Sequence, residues 1–224
     1  MPWADIAAAV IRRTDAAFLS PDSRGGPGKR GRPILRGIGG AIEMLHEQLK
    51  RIVEEGSLAS LYSDSDDTEK FSVGRIKSIS DRYVLIESFD EAGKYDGYAL
   101  KQADDIFLLE KDTRYLKKIR CLMGGESRPA FPEEGADGLH SSLLGFARDN
   151  NLVVSVQMMK SGVVDACGFV RGIEEDCVEM ELVNAYGESD GRSYFSPDCI
   201  SQAVCDGTDE QIIKTLYGKH GNGR

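Results

Sequence analysis

Three histidines, two runs of carboxylates and five cysteines are the residues of this chain whose types could do chemistry. His46 and His140 each follow a leucine, in the pairs Leu45-His46 and Leu139-His140. A repeated histidine could be a ligand or a contact that titrates near neutrality. Neither has a Cys or a second His at metal-ligand spacing, so both read as structural side chains packing a helix. His220 sits in a Gly-rich tail and carries no signal. The runs Asp64-Ser65-Asp66-Asp67 and Glu174-Glu175-Asp176 could hold a hard cation. The first lacks the spacing, the Gly and the closing Glu of a calcium-binding loop, and both read as solvated acidic turns. Cys121, Cys167, Cys177, Cys199 and Cys205 include no Cys-x-x-Cys pair and read as reduced, partly buried thiols. No Gly-x-Ser-x-Gly, no P-loop and no dinucleotide fingerprint is present. The expectation is a protein that is not an enzyme, with no catalytic residue, no metal ligand and no cofactor.

The composition is that of a folded chain. Of 224 residues, 41% are hydrophobic and 29% charged, which supports a core and argues against wholesale disorder. No apolar run approaches the roughly 18–20 residues of a membrane span. Asp5 stands where a secretory signal needs a basic segment, and Arg12 and Arg13 break the apolar stretch. A cytoplasmic location and no membrane partner follow as expectations. The net charge is −9 and the pI near 5.0, which speaks against a general nucleic-acid-binding surface. The charge is uneven. Residues 1–37 hold roughly +4, which leaves roughly −13 on the rest: a basic arm on an acidic body.

Within that arm, Arg30-Gly31-Arg32-Pro33 resembles the core of the AT-hook family. There a flat Gly-centred turn lays two arginines along a narrow minor groove. The resemblance implies nucleic-acid contact through Lys29, Arg30, Arg32 and Arg36. The family usually carries more flanking basic residues or several copies, and a plain flexible basic linker is the other reading.

The elements emerge from an internal repeat. His46 and His140 set an offset of 94 residues, and the register then holds without a gap. Leu49 meets Leu143, Leu58 meets Leu152, Gly74 meets Gly168, Val84 meets Val178 and Glu87 meets Glu181. Gly93 meets Gly187, and Asp96-Gly97 meets Asp190-Gly191. About 16 of roughly 79 aligned positions are identical, with glycines and turn residues in phase. Each copy opens with a helix marked by Leu45, Leu49, Ile52 and Val53, or by Leu139, Leu143 and Phe146. Five strands are expected next, at 58–63, 71–79, 83–87, 98–101 and 106–110 in the first copy. In the second they fall at 152–158, 164–173, 177–182, 192–195 and 200–204. The third strand of the second copy alternates Val178, Met180 and Leu182 with Cys177, Glu179 and Glu181, one face buried and one wet. The loops 92–97 and 186–191 read as hairpin connections, with Asp-Gly supplying positive φ. A short helix closes each copy, at 115–122 and 210–217. The domain reading is a basic arm at 1–37, module one at 38–122, a Gly/Pro/Glu linker at 123–137, module two at 138–217 and a flexible tail at 218–224.

A helix followed by five strongly bent antiparallel strands resembles the Sm-like barrel of Sm, LSm and Hfq proteins. The resemblance is carried by Phe71-Ser72-Val73-Gly74-Arg75-Ile76-Lys77-Ser78-Ile79, the strand Tyr83–Ile86, and Cys167-Gly168-Phe169-Val170-Arg171-Gly172-Ile173. It implies a mainly β fold with short helices: two tandem Sm-like, SH3-like five-stranded barrels from an internal duplication. A generic SH3-like barrel is the competing layout. The expectation is that residues 44–122 and 138–216 superpose as two copies of one module, and one continuous sheet would overturn it. A fused pair can also satisfy one open strand edge within the chain. The departures bear on function. Where RNA-binding Sm proteins place Asp and Asn around the second turn, this chain has Ser80 and Val84, or Glu174 and Val178. The family's Arg-Gly before the last strand is replaced by Gln102-Ala103 and Ser196-Pro197, and Hfq's Lys-His pair is missing. Groups that would hold a base or a phosphate are gone. The leading expectation is a non-enzymatic binding or adaptor protein, with a protein partner or self-association. The alternative is a nucleic-acid-associated regulator using the basic arm or a modified barrel face.

Overall fold

The computed structural model describes residues 38–221, apart from 65, 66, 68, 126, 127, 133–137 and 175. Over the described residues the fold is mainly β, with one ten-stranded antiparallel sheet and four α-helices. Helix α1 (Ile38–Glu55) leads into β1 (Leu58–Tyr62), β2 (Ser72–Ile79), β3 (Tyr83–Phe89), β4 (Tyr95–Gln102), β5 (Leu108–Lys111) and α2 (Arg114–Leu122). The second half follows with α3 (Leu139–Asp149), β6 (Val153–Met158), β7 (Ala166–Glu174), β8 (Cys177–Val183), β9 (Ser189–Phe195), β10 (Ile200–Cys205) and α4 (Thr208–Gly221). The strand order across the sheet is β5-β1-β2-β3-β4-β10-β6-β7-β8-β9.

The sheet is one continuous ten-stranded sheet, the outcome set against the expected pair of tandem barrels, so the structure does not show two barrels. The reason is main-chain pairing. Strand β4 pairs with β10, with Lys101 opposite Gln202, Leu100 opposite Ala203, Ala99 opposite Val204 and Tyr98 opposite Cys205. An unpaired strand edge leaves a row of amides and carbonyls to satisfy, and here each half satisfies one edge of the other.

Local chemistry accounts for the elements. Helix α1 turns Leu49 and Ile52 onto the sheet and ends at Gly56, whose φ of +59° lets the chain reverse. Register shifts fall between Ile76 and Ser78 on β2 and between Val170 and Gly172 on β7. These bulges bend the strands. Gly74 and Gly168 act by close approach. A Cβ on Gly74 would overlap Ile86 and the Glu87 carbonyl, and one on Gly168 the Glu181 carbonyl.

The hairpin turns lie earlier than the sequence reading put them. Residues 90–94 and 184–188 make the reversals, with Asp90 and Asn184 accepting main-chain N–H bonds through their side chains. Asp96-Gly97 and Asp190-Gly191 lie inside β4 and β9. Their glycines do take positive φ, at +80° and +90°, beside register shifts against β3 and β8. A bulge needs that conformation as much as a turn does. Helix α4 runs to Gly221, four residues into the segment expected as a tail.

Two apolar centres sit on opposite faces of β3 and β4. On one face, Val84, Ile86 and Ala99 pack with α1. On the other, Tyr83, Leu85, Tyr98 and Leu100 join Leu143, Leu144 and Phe146 of α3 and Val178 and Met180 of β8. The core of the second half therefore includes side chains of the first. The linker is tied to it as well: Tyr98 donates to the Pro129 carbonyl at 3.0 Å, and the Phe131 amide donates to Tyr98 at 3.2 Å.

Candidate functional site: a polar cleft at the seam

The β4–β10 pairing builds a cleft of about 490 Å³. Its walls come from both halves: the end of β1 and start of β2, the end of β4, and across the seam β10, β6 and the loop 159–164. Alternation along β4 sends Tyr98 and Leu100 to one face and Ala99 and Lys101 to the other. Ala99 meets the core under α1. Lys101 comes one step further along the strand, beyond that core, and its ammonium ends at the cleft.

Lys101 is 9% exposed, and its Nζ donates to Ser63 Oγ at 3.0 Å. Burial pulls its pKa down to about 8, against the opposing pull of Asp64 and Asp105. At neutral pH roughly nine-tenths of the molecules still carry the cation. Lys160 crosses the seam to Asp105 at 2.6 Å, and Lys70 lies 3.5 Å from Asp64. Gln102, Gln157 and Gln202 add amides that both donate and accept.

The loop that closes one side is held in an unusual backbone. Met159 and Lys160 have φ of 51° and 56°, a region that side chains avoid at a cost of order 1–3 kcal/mol each. Three contacts hold it there: the Met159 amide to the Cys199 carbonyl, the Lys160 amide to Ser201 Oγ, and Lys160 to Asp105. Further contacts cross the seam away from the cleft lining. Arg82 reaches Asp198 through its side chain at 3.2 Å and through the carbonyl at 2.6 Å. Tyr83 donates to the Ile200 carbonyl at 2.7 Å.

Chemically, the cleft offers a partly desolvated cation beside hydroxyl and amide groups. That suits a small polar ligand with an acceptor or a single negative charge for Lys101. The Ser63–Lys101 pair has the distance of a nucleophile and its base. Here the ammonium is the donor, and in that protonated form Lys101 holds the hydroxyl rather than taking its proton.

The residues singled out from the sequence mostly lie elsewhere. Lys29, Arg30, Arg32 and Arg36 fall outside the described residues. His140 stacks on Tyr83 with ring centroids 5.5 Å apart, and burial lowers its pKa; it packs a helix on the sheet. His46 is half-buried on α1. Among the described residues of the first acidic run, Asp64 lines the cleft. Glu174 is exposed at the end of β7. All five cysteines are free thiols, with Cys167 and Cys205 buried. Val84 and Val178 are fully buried core residues, and Ser80 only closes the β2–β3 turn.

Lys101 was missed, although a signal existed. Its counterpart 94 residues on is Phe195. A lysine where the matching position of the second half holds a phenylalanine is a charge at a position that takes an apolar side chain elsewhere in the chain.

Among the described residues, no helix is long and apolar enough to cross a membrane, and no group of three or more His, Cys, Asp or Glu is placed to hold a metal. Fold and site together define a class: an antiparallel β protein whose two halves join edge to edge around a polar cleft. Comparison with protein-family models, curated proteins and solved structures found no match.

Proposed function

We propose that the chain is a non-enzymatic binding protein built from two Sm-like modules that arose by duplication, holding a small polar ligand in the seam cleft. The observation that carries this is the β4–β10 seam with Lys101 buried at its end. The duplication is supported by the strand order, which runs β5-β1-β2-β3-β4 in one half and β10-β6-β7-β8-β9 in the other. It is supported again by the bulges: those at 76/78 and 87/89 recur at 170/172 and 181/183, an offset of 94 each time. The bulges at 76/78 on β2 and 170/172 on β7 bend those strands, which favours barrel-like curvature.

A partner is read from the remaining edges. Strands β9 and β5 end the sheet. At the seam, a Cβ on Gly97 would overlap the backbone of Cys205–Gly207, and Asp96 accepts the Thr208 amide at 2.9 Å. Asp190-Gly191 repeats that pair on β9, yet nothing lies within 4 Å of a Cβ on Gly191. The β9 edge is thus shaped like one already filled inside the chain. Self-association through β9 and β5 is the partner reading, and light scattering at micromolar concentration tests it. A small even assembly is expected, and a monomer at all concentrations counts against it.

The binding reading is tested by two measurements. Native mass spectrometry of the gently purified chain is expected to show a small adduct, lost in Lys101→Met. RNA titration of residues 37–224, a start that leaves α1 whole, is expected to show no saturable binding of U-rich or A-rich strands. Sub-micromolar binding there would return the protein to the RNA-binding class.

A further inference from the structure

A second cleft, of about 780 Å³, lies on the first half, bounded by β2, β4, the end of α2 and linker residues 124, 125, 128, 130 and 131. Its lining is unlike the rest of this acidic chain. Arg75, Lys77, Arg120 and Arg128 face it, against the single carboxylate of Glu87 among the described residues. The formal charge of the described lining is +3, on a chain of −9.

The carboxylate serves to position two of these cations. Glu87 has 3% of its side chain exposed, with Arg128 Nε at 2.6 Å and Arg75 at 3.7 Å. Both guanidinium planes are steadied on aromatic rings, Arg128 on Phe89 and Tyr95 and Arg75 on Phe89. A guanidinium has five N–H donors, and these contacts with Glu87 leave most of them for the cleft. Lys77 and Arg120 are exposed and meet no carboxylate among the described residues. Fixed guanidinium forks beside exposed cations are the groups that recognise phosphate.

The other half shows the same place filled. Its counterpart of Glu87 is Glu181, which takes Arg171 at 2.9 Å on one oxygen and Tyr217 at 2.7 Å on the other. Tyr217 belongs to α4, which continues to Gly221, whereas α2 stops at Leu122. The shorter helix leaves the first half open.

Charge selects among phosphates. A phosphomonoester carries about −1.5 to −2 at neutral pH, which leaves part of the +3 unanswered. A diphosphate answers all of it. We propose that this cleft binds the diphosphate group of a small molecule, either free or on a nucleoside. The proposal is independent of the seam cleft.

The test is calorimetric titration of the full chain with inorganic pyrophosphate, ADP, inorganic phosphate and a single-stranded oligonucleotide. Saturable binding of pyrophosphate or ADP is expected, weaker for phosphate and falling with salt. Equal affinities for pyrophosphate and ADP identify the free diphosphate as the source, and tighter ADP the nucleoside. The double variant Lys77→Gln, Arg120→Gln changes only exposed side chains and is expected to bind at least about tenfold more weakly. Arg192→Gln, in the other half, is the charge control and is expected to bind as the parent does. No saturable binding below about 1 mM, binding of the oligonucleotide alone, or equal loss in the Arg192 control would each overturn the proposal.

Discussion

Two buried side chains, Lys101 and Glu210, tie the stability of the fold to pH. Glu210 is 6% exposed, accepts from Ser155, and is pushed up to about 7 by burial. The folded chain therefore keeps a proton between pH 4.5 and 7 that the unfolded chain has lost. The stabilisation this brings is present below 4.5 and lost as pH rises through 7. Glu210→Gln keeps an acceptor for Ser155 without the charge. It is expected to match the parent at pH 4 and to exceed it by about 1–3 kcal/mol at pH 8 in urea unfolding. Lys101 runs the other way. Its folded pKa is lowered, so its charge costs most at low pH and the cost fades as pH rises from about 8 to 10.5. Lys101→Met is expected to gain about 1–3 kcal/mol at pH 7 and much less at pH 10. A loss at pH 7 would show that Asp64 and Asp105 more than offset the burial of the ammonium. Stability given up for a buried lysine is what a binding group requires and a structural one does not.

Among the elements, β3 decides how the halves fit. Its residues are buried on both faces, because α1 covers Val84 and Ile86 while α3 covers Tyr83 and Leu85. The counterpart β8 keeps one wet face, with Glu179 paired to Arg192 and Glu181 to Arg171. The sequence carries this contrast: Tyr83-Val84-Leu85-Ile86 is continuous and apolar, whereas Cys177-Val178-Glu179-Met180 alternates. Close approach of β2 to β3 is the other element-level constraint. Gly74→Ala drives a methyl into Ile86 and the Glu87 carbonyl and is expected to cost about 1–3 kcal/mol. Thermal unfolding checks it. A neutral result would mean the β2–β3 approach is looser than described.

For the whole molecule, the shared core predicts one cooperative unit. The seam joins main chains, and Tyr83, Leu85, Tyr98 and Leu100 of the first half lie in the same apolar cluster as α3 and β8 of the second. Urea unfolding followed by far-ultraviolet circular dichroism and by tyrosine fluorescence is expected to give one coincident transition. Two separated transitions would mean that the halves fold independently about the linker. Tyr83→Ala removes a ring buried between the halves and its bond to the Ile200 carbonyl. It is expected to cost about 3–5 kcal/mol while leaving a single transition.

The sequence by itself determined the number, type and order of the elements within each half. Alternation, helical spacing and turn residues are local properties, and two copies of the pattern checked each other. It also determined where glycine was needed, at Gly74, Gly93, Gly97 and their counterparts, since a missing side chain is visible in one dimension. It placed Asp96-Gly97 in a turn, because a bulge and a turn ask for the same positive φ. Only the tertiary structure decided that β4 meets β10. Edge pairing uses main-chain amides and carbonyls, which every residue carries and no sequence pattern marks. Both clefts follow from that level. Lys101, Ser63 and Gln202 come together across the seam, and Arg75, Arg120 and Arg128 come together from a strand, a helix end and the linker. Residues so far apart in the chain meet only when the apolar faces around them close, and that is settled by packing rather than by spacing.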